Sequence, residues 1–286
     1  MAYASRLKQQ IAEGKIIVAP GAPDSITARL VQQAGFEAVY MTGFGATASR
    51  LGTPDIGLLS QTEMTEHARN MVRATHIPVI ADADTGYGGP SNIQRTVREY
   101  IQAGVAAIHL EDQVAPKRCG QMAGIRLMDA AENVRRLKCA IEARGQDDLL
   151  IIGRTDAMPA AGAEEAIRRA HLYQDAGVDL VFVDGVKTIA EVEAVARAVS
   201  GPKVVSIVDG NETTALRVAD LQEMGFSMVF YAVTALFTAT HAVASALAHL
   251  KASGTPAGGP AQHSYAEFCE LVDLDFHKGL DDRFGA

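Results

Sequence analysis

Residues 101–110, IQAGVAAIHL, join the polar end of a helix to an apolar strand through a single glycine. The same pattern returns at QQAGFEAVY (32–40), QDAGVDLVFV (174–183) and QEMGFSMVFY (222–231). Glycine at this position is typical of a left-handed helix C-cap just before the chain reverses. Apolar runs that alternate with amphipathic helical runs indicate a parallel sheet covered by helices. The repeated unit therefore predicts an α/β protein.

Eight short apolar runs are predicted as strands, at 16–21, 38–43, 78–84, 106–112, 149–156, 180–185, 203–210 and 228–234. Eight such units predict a closed (β/α)8 TIM barrel, for which about 250 residues are typical. A doubly wound open sheet is the alternative. It is less favoured because it needs fewer strands and because the first strand–helix turn, APGAPDS (19–25), lacks a glycine-rich dinucleotide fingerprint.

The predicted domains are a barrel with an N-terminal helix over residues 1–252 and a linker with a helical tail over 253–286. The segment SGTPAGGPAQ (253–262) interrupts the αβ pattern with small and turn-forming residues, which is typical of a linker. The tail beyond it is amphipathic but too short to fold alone. We therefore expect it to dock on the barrel or on a neighbouring subunit.

Charge and cysteine content limit the functional class. The 286 residues carry a net charge of −8, which argues against a nucleic-acid or anionic-membrane partner. No apolar run reaches the ~18 residues of a membrane span, and the N-terminal segment lacks the apolar core of a signal peptide. Cys119, Cys139 and Cys269 are few and widely spaced, as expected of reduced thiols in a cytoplasmic protein.

Charged residues gather where the predicted strands end, which is where barrel enzymes have their active sites. Asp82 and Asp84 are two apart at the end of strand three, so both would face the same way. Strands four to seven end at Glu111 and Asp112, at Arg154 and Asp156, at Asp184 and at Asp209, respectively. Carboxylates this close suit Mg²⁺ or Mn²⁺. A single aspartate here could equally cap a helix, but a set on three neighbouring strands favours a site.

The loop QVAPKRCGQMAG (113–124) contains the candidate reactive thiol. Cys119 follows Lys117 and Arg118, and neighbouring cations lower the pKa of a thiol. An inert buried cysteine is the alternative, and it fits Cys139 better. His109 lies in mid-strand and is predicted as a core histidine. Without HxH or HExxH, a histidine-ligated zinc is not supported.

Four motifs resemble those of the isocitrate lyase/phosphoenolpyruvate mutase superfamily. They are TGFGATASRLGTPDIG (42–57), ADADTGYGG (81–89), HLEDQVAPKRCG (109–120) and IIGRTDA (151–157). The resemblance extends over nearly the whole chain, and KRCG resembles the lyase branch. It implies a helix-swapped barrel, usually a homotetramer of two swapped dimers, in which the C-terminal helix would pack on a partner subunit.

The resemblance also implies roles for particular residues. Mg²⁺ (or Mn²⁺) would be held by Asp82, Asp84 and Glu111, directly or through water. The carboxylate substrate would be bound by Tyr40, Thr42, Gly43, Phe44, Gly120, Arg154, Asp184 and Ser206. The catalytic residues would be Asp55, Lys117, Arg118 and Cys119.

The implied reaction is a retro-aldol-type cleavage of a 2-hydroxy, alkyl-malate-like di- or tricarboxylate. A base removes the 2-hydroxyl proton, the Cα–Cβ bond breaks, and an α-keto acid such as pyruvate or glyoxylate forms. Lys117 and Arg118 would stabilise the second product as its enolate, and Cys119 would protonate it.

Departures from the lyase pattern keep other reactions open. Gln121 replaces the usual histidine, Asp184 a glutamate, Ser206 an asparagine and Ala232 a proline. Fewer groups then remain for distal carboxylates, which argues against methylisocitrate. Oxaloacetate decarboxylation is an alternative. Phosphonopyruvate chemistry fits less well because that branch usually lacks the cysteine, and a non-catalytic scaffold would be expected to lose the carboxylates or the thiol.

Overall fold

The computed structural model describes residues 3–285 and contains the predicted closed barrel. Eight parallel strands pair in chain order, and the last pairs with the first. They are β1 (Ile17–Ala22), β2 (Val39–Met41), β3 (Val79–Asp82), β4 (Ala107–Glu111), β5 (Leu150–Thr155), β6 (Leu180–Val183), β7 (Lys203–Ile207) and β8 (Met228–Tyr231). All eight predicted strands are confirmed, and most of them end earlier than predicted.

Helices precede the first strand, alternate with the strands and follow the last strand along the chain. They are α1 (Tyr3–Ala12), α2 (Ser25–Gln33), α3 (Gly43–Leu51), α4 (Gln61–Ala74), α5 (Pro90–Ala103), α6 (Ala130–Arg144), α7 (Ala157–Ala161), α8 (Ala163–Ala176), α9 (Ile189–Ala198), a 3₁₀ helix (Glu212–Ala215), α10 (Val218–Glu223), α11 (Thr234–Ser253), α12 (Tyr265–Leu271) and α13 (Leu274–Phe284). Gly104 caps α5 with a φ of 86°, as the opening motif predicts, and β4 begins three residues later. The glycine is needed because L-residues rarely adopt this conformation.

Aromatic side chains fill the interior of the barrel. Tyr40 of β2 stacks on Phe230 of β8 with ring centroids 4.1 Å apart. Phe182 of β6 meets Phe230 edge to face at 5.5 Å. All three are buried. A second apolar layer lies between the strands and the helices that surround them. The filled interior leaves the strand ends as the place for a site.

The chain divides into two compact units, one up to Thr234 and one from Ala235 onward. This division lies ahead of the boundary predicted at 252/253, and the docking of the tail stays a prediction. The second unit contains most of α11, which has no buried residue. None of the helices within residues 3–285 combines the length and apolar content needed to span a membrane.

Candidate active site

The carboxyl ends of the strands surround a cavity of about 50 Å³. It is lined by Tyr40, Thr42, Phe44, Asp55, Asp82, Cys119, Gln121, Arg154, Phe182, Asp184, Ser206, Val208, Ala232 and Val233. Most of the predicted catalytic and substrate-binding residues are therefore brought together. A larger cavity of about 440 Å³ shares Lys117 and Asp84 with the site. We place the chemistry in the smaller cavity because Cys119, Arg154 and Asp82 all line it.

The segment after β2 builds one wall of this cavity. Thr42 is the N-cap of α3, and its hydroxyl accepts the Gly45 N–H at 3.4 Å. Gly43 begins the helix and packs so closely on the Asp82 carboxylate that a Cβ atom would clash with it. The first turn of α3 therefore lies beside an acidic group, and Phe44 lines the cavity. Backbone amides at a helix N-terminus suit an anionic ligand, as predicted for this segment.

Asp82 and Asp84 are close together, but not for the predicted reason. β3 ends at Asp82, and Asp84 lies beyond it with a φ of 47°. A shared strand face is therefore wrong. The Asp84 N–H donates to Asp82 Oδ1 at 2.9 Å instead. Lys117 Nζ lies 2.6 Å from Asp84 Oδ1 and 2.8 Å from Asp55 Oδ2.

Burial and neighbouring charge act differently on the two aspartates. Burial raises the pKa of Asp84 to about 6, against the opposing charge of Lys117. For Asp82, burial is outweighed by the charges of His109, Lys117 and Arg154, which lower its pKa to about 2. Asp82 is therefore the more firmly ionised carboxylate of the pair.

Arg154 is the centre of a buried ion-pair network. Its guanidinium lies 2.6 Å from Asp184, 2.8 Å from Asp156, 3.5 Å from Glu111 and 3.9 Å from Asp82. Removing one partner of a buried ion pair costs roughly 3–5 kcal/mol, because the other charge is left uncompensated. Arg154 therefore links four carboxylates at the strand ends and also lines the cavity.

The predicted metal ligands fit a hard divalent cation. Neither carboxylate oxygen of Glu111 accepts a hydrogen bond from any residue in 3–285, although both are buried. Burial raises the pKa of this carboxyl. Within the same residues, no three acidic, histidine or cysteine side chains form a ready-made cluster. Mg²⁺ needs only one or two carboxylates with several waters, so the donors of Asp82, Asp84 and Glu111 suit it.

The thiol of Cys119 reaches the cavity on the loop after β4. The Cys119 N–H donates to the Asp55 carbonyl at 3.0 Å, which holds the loop against the segment after β2. Burial raises the pKa of the thiol to about 12, so the predicted lowering is wrong. The pKa is not lowered because the two neighbouring cationic side chains contact other partners. Lys117 faces Asp55 and Asp84, and Arg118 donates to the Ala123 carbonyl at 3.3 Å.

The remaining predicted residues differ in whether they are exposed or packed into the site. Arg118 is exposed and does not line the cavity. Gly120 packs so tightly on Asp184, Asp156 and Arg154 that a side chain would clash with them. His109 is fully buried as predicted, and its Nε2 lies 2.9 Å from the Tyr40 hydroxyl.

Two residues that contact the loops of the candidate site were missed by the sequence interpretation. Gln113 Nε2 donates to the Arg118 carbonyl at 2.7 Å and to Asp156 at 2.8 Å. Its Oε1 accepts the Arg118 N–H at 2.9 Å. Asn211, in the loop after β7, donates to Gln121 at 3.1 Å. The only signal for either was its position just beyond a strand end.

Comparison with known proteins agrees with this geometry. The family model described as phosphoenolpyruvate phosphomutase matches residues 7–251. The chain is 40% identical over 276 residues to 2,3-dimethylmalate lyase from Eubacterium barkeri, which covers 96% of each chain.

Solved structures are similar over the full chain. One of oxaloacetate acetylhydrolase with the inhibitor 3,3-difluorooxalacetate has a TM-score of 0.94 and 32% identity, covering 100% of this chain and 98% of the other. One of phosphonopyruvate hydrolase with oxalate and Mg²⁺ has a TM-score of 0.90 and 29% identity, covering 99% of each. The chain therefore belongs to the phosphoenolpyruvate phosphomutase family, within the isocitrate lyase/phosphoenolpyruvate mutase superfamily.

Proposed function

We propose that the protein is a magnesium-dependent carbon–carbon lyase. It cleaves a 2-hydroxy dicarboxylate of the alkyl-malate kind into an α-keto acid, such as pyruvate, and a second carboxylate. The observation that carries the proposal is the Cys119 thiol, which lines one small cavity together with Asp82 and Arg154. The 40% identical 2,3-dimethylmalate lyase supports the same class of reaction.

Asp82, Asp84 and Glu111 would hold Mg²⁺ or Mn²⁺. When bound, the ion would polarise the α-oxyacid end of the substrate and offset its negative charge. Lys117 would supply the second positive charge here, because burial is outweighed by its acidic neighbours, which raise its pKa well above the usual range.

The chain's own side chains would move the protons. Asp55 would accept the proton of the 2-hydroxyl, since this residue lines the cavity. As the C2–C3 bond breaks, its electron pair moves to C3 and onto the adjoining carboxylate as an enolate. Cys119 would then donate its proton to C3. The thiolate left behind would be stabilised by the Gln121 main-chain N–H that faces the sulfur.

The test is a screen of 2-hydroxy and 2-oxo diacids with Mg²⁺, in which pyruvate and glyoxylate are measured separately. We expect an α-keto acid from an alkyl malate, loss of activity with EDTA and recovery with Mg²⁺. Cys119→Ala should lower kcat about 10²–10⁴-fold, and Cys139→Ala in α6 should not. Full activity of Cys119→Ala on the best substrate would rule out the proton-donor role.

Oxaloacetate is a second candidate substrate. The cavity of about 50 Å³ favours a small diacid, and the solved structure with a TM-score of 0.94 is of oxaloacetate acetylhydrolase. Release of pyruvate from oxaloacetate far faster than from alkyl malates would favour decarboxylation. Phosphonopyruvate remains the less fitting choice because Cys119 would have no role in it.

We also propose that the protein is a cytoplasmic homotetramer of helix-swapped dimers. The exposed apolar side chains of α11 support an oligomer. The three free cysteines are consistent with a reducing compartment.

A further inference from the structure

Asp112 is a buried acidic residue that takes no part in the proposed reaction. It directly follows β4 and is fully buried, outside the lining of the cavity. Its Oδ2 accepts the Thr155 hydroxyl at 2.7 Å, the Arg169 guanidinium at 3.0 Å and the Tyr173 hydroxyl at 2.7 Å. Its Oδ1 accepts the Asp156 N–H at 3.0 Å. A carboxylate has about four acceptor sites, so the capacity of this one is used within the protein.

The four hydrogen bonds connect Asp112 with two different elements. Thr155 is the last residue of β5 and Asp156 follows it, whereas Arg169 and Tyr173 lie on α8. The two bonds to the end of β5 fix a side chain and a main-chain group of the turn that leaves the strand. A buried polar network is rigid when every member is satisfied. Asp112 therefore determines where the turn after β5 lies relative to β4.

This turn carries the arginine that lines the cavity. Arg154 precedes Thr155 in β5, and its guanidinium donates to Asp156 Oδ1 through Nε at 3.2 Å and through a terminal nitrogen at 2.8 Å. Two bonds from one planar guanidinium define its direction. Because Asp112 holds the main chain of Asp156, the direction of the Arg154 side chain depends on Asp112 as well.

The charge of Asp112 is balanced away from the cavity. Arg169 is buried on α8 and lies 3.0 Å from Asp112 and 2.7 Å from Glu165. Asp112 can therefore hold the turn after β5 without competing for Arg154, which already pairs with four carboxylates. Docking of α8 on the barrel is the other role that the same contacts allow, and the two roles predict different results.

We propose that Asp112 is a positioning residue, which orients Arg154 for the α-oxyacid end of the substrate through the main chain of Asp156. The inference rests on the proposed function, in which Arg154 binds that end. It adds a residue that neither lines the cavity nor belongs to the proposed metal ligands. Loss of Asp112 should weaken binding of the α-oxyacid end only as far as Arg154 contributes to that binding.

Asp112→Asn tests the contact with the turn after β5. Arg169 can only donate, so it keeps the oxygen of the new amide, and the NH₂ group then faces the Asp156 N–H. The two donors repel each other and the turn moves. Binding of oxalate, which has only the α-oxyacid end, is measured by calorimetry with Mg²⁺ on wild type, Asp112→Asn, Arg154→Lys and the double variant.

We expect Asp112→Asn to bind oxalate about tenfold more weakly and Arg154→Lys about a hundredfold more weakly, since lysine lacks the planar fork. The double variant should bind within about threefold of Arg154→Lys, because residues that act as one unit have non-additive effects. Tyr173→Phe is the matched control, since it removes one hydrogen bond from the same carboxylate on the α8 side. Its urea midpoint should fall, and its oxalate affinity should stay within about twofold of wild type.

Three results would overturn the inference alone. The first is an unchanged oxalate affinity in Asp112→Asn. The second is a double variant about a thousandfold weaker than wild type, as independent effects require. The third is an equal loss in Tyr173→Phe and Asp112→Asn, which would indicate docking of α8 only.

Thermal unfolding shows whether each variant is folded. If Asp112→Asn is not folded, the same cycle is run with Thr155→Val, which keeps the pair of Asp112 with Arg169, and the same outcomes decide. Failure of the wild type to bind oxalate with Mg²⁺ would instead overturn the proposed function, and the inference with it.

Discussion

At the scale of the residue, burial has a larger effect on the pKa of the Cys119 thiol than the cationic residues next to it in the sequence. Lys117 and Arg118 precede it, yet both side chains turn to other partners. Burial raises the pKa of the thiol to about 12. The group is therefore protonated at neutral pH, which suits a proton donor and not a nucleophile.

Alkylation of Cys119 should consequently be slow and strongly dependent on pH. At pH 8, a thiol with a pKa of about 9 is roughly one-tenth ionised, whereas one with a pKa of about 12 is ionised in roughly one molecule in ten thousand. Iodoacetamide labelling of native Cys119, followed by mass spectrometry, should be about 10³-fold slower than labelling in urea and should rise about tenfold per pH unit. Equal rates in native and unfolded protein at pH 8 would contradict this.

The raised pKa of the Cys119 thiol also makes the free energy of unfolding depend on pH. The folded state keeps the thiol proton to a higher pH than the unfolded chain does, so the unfolded chain binds fewer protons above about pH 9. The free energy of unfolding should therefore fall as pH rises from about 9 towards 12, and less so in Cys119→Ala.

Sequence reasoning found the charged residues of the site because parallel strands end at the same edge of the barrel. Asp82, Glu111 and Arg154 needed only the strand pattern. The conformation of Asp84 and the direction of Arg118 could not be predicted. Both depend on contacts between loops that are distant in sequence, and periodicity does not define these contacts.

At the scale of the element, the loop between β4 and α6 has a fixed base. The Val114 N–H donates to the Arg126 carbonyl at 2.8 Å, and Gln113 forms an antiparallel bridge with Leu127. The Gln113 side chain then clamps both main-chain groups of Arg118. This single side chain links the thiol-bearing segment to Asp156, a partner of Arg154.

Gln113→Leu should loosen the loop without unfolding the barrel. Loss of the clamp should expose the loop to trypsin after Lys117 or Arg118, lower kcat about tenfold, and reduce the free energy of unfolding by about 1–3 kcal/mol. Timed proteolysis and urea unfolding measure the two effects. Gln94→Leu, at an exposed position on α5, is the matched control. Wild-type proteolysis of Gln113→Leu would refute the clamp.

The barrel could be predicted from the sequence because the residues that end each helix and begin the next strand are neighbours in the chain. A glycine such as Gly104 ends a helix and a short apolar strand follows, so element type and order can be inferred directly. Strand ends were less predictable. β8 stops at Tyr231, although apolar residues continue to Val233, because pairing with β1 and β7 ends there.

At the scale of the whole molecule, α11 is a long helix with no buried residue. Val243, Leu247 and Leu250 are spaced to lie on one helical face and are 57%, 59% and 44% exposed. Each apolar side chain buried in an interface would contribute about 25 cal/mol per Å². This supports burial of α11 against another copy of the chain.

Leu247→Glu should therefore weaken the oligomer. We expect light scattering to give a tetramer for the wild type and smaller species for Leu247→Glu, because a charge would enter an apolar interface. Lys251→Glu, at an exposed polar position of the same helix, should keep the wild-type mass. A monomeric wild-type protein would contradict the proposed assembly.

The carboxylates at the strand ends outnumber the cationic side chains there. This excess bears on the order in which a cation and a substrate would bind. Lys117 and Arg154 pair with six carboxylates, and the His109 ring also lies 3.6 Å from Asp82. The six carboxylates belong to Asp55, Asp82, Asp84, Glu111, Asp156 and Asp184. A doubly negative substrate that approached this rim alone would be repelled at short range, where the low dielectric constant strengthens the force. If Mg²⁺ binds here as proposed, we expect it to bind before the substrate, and the concentration of free Mg²⁺ would then affect how readily the substrate binds.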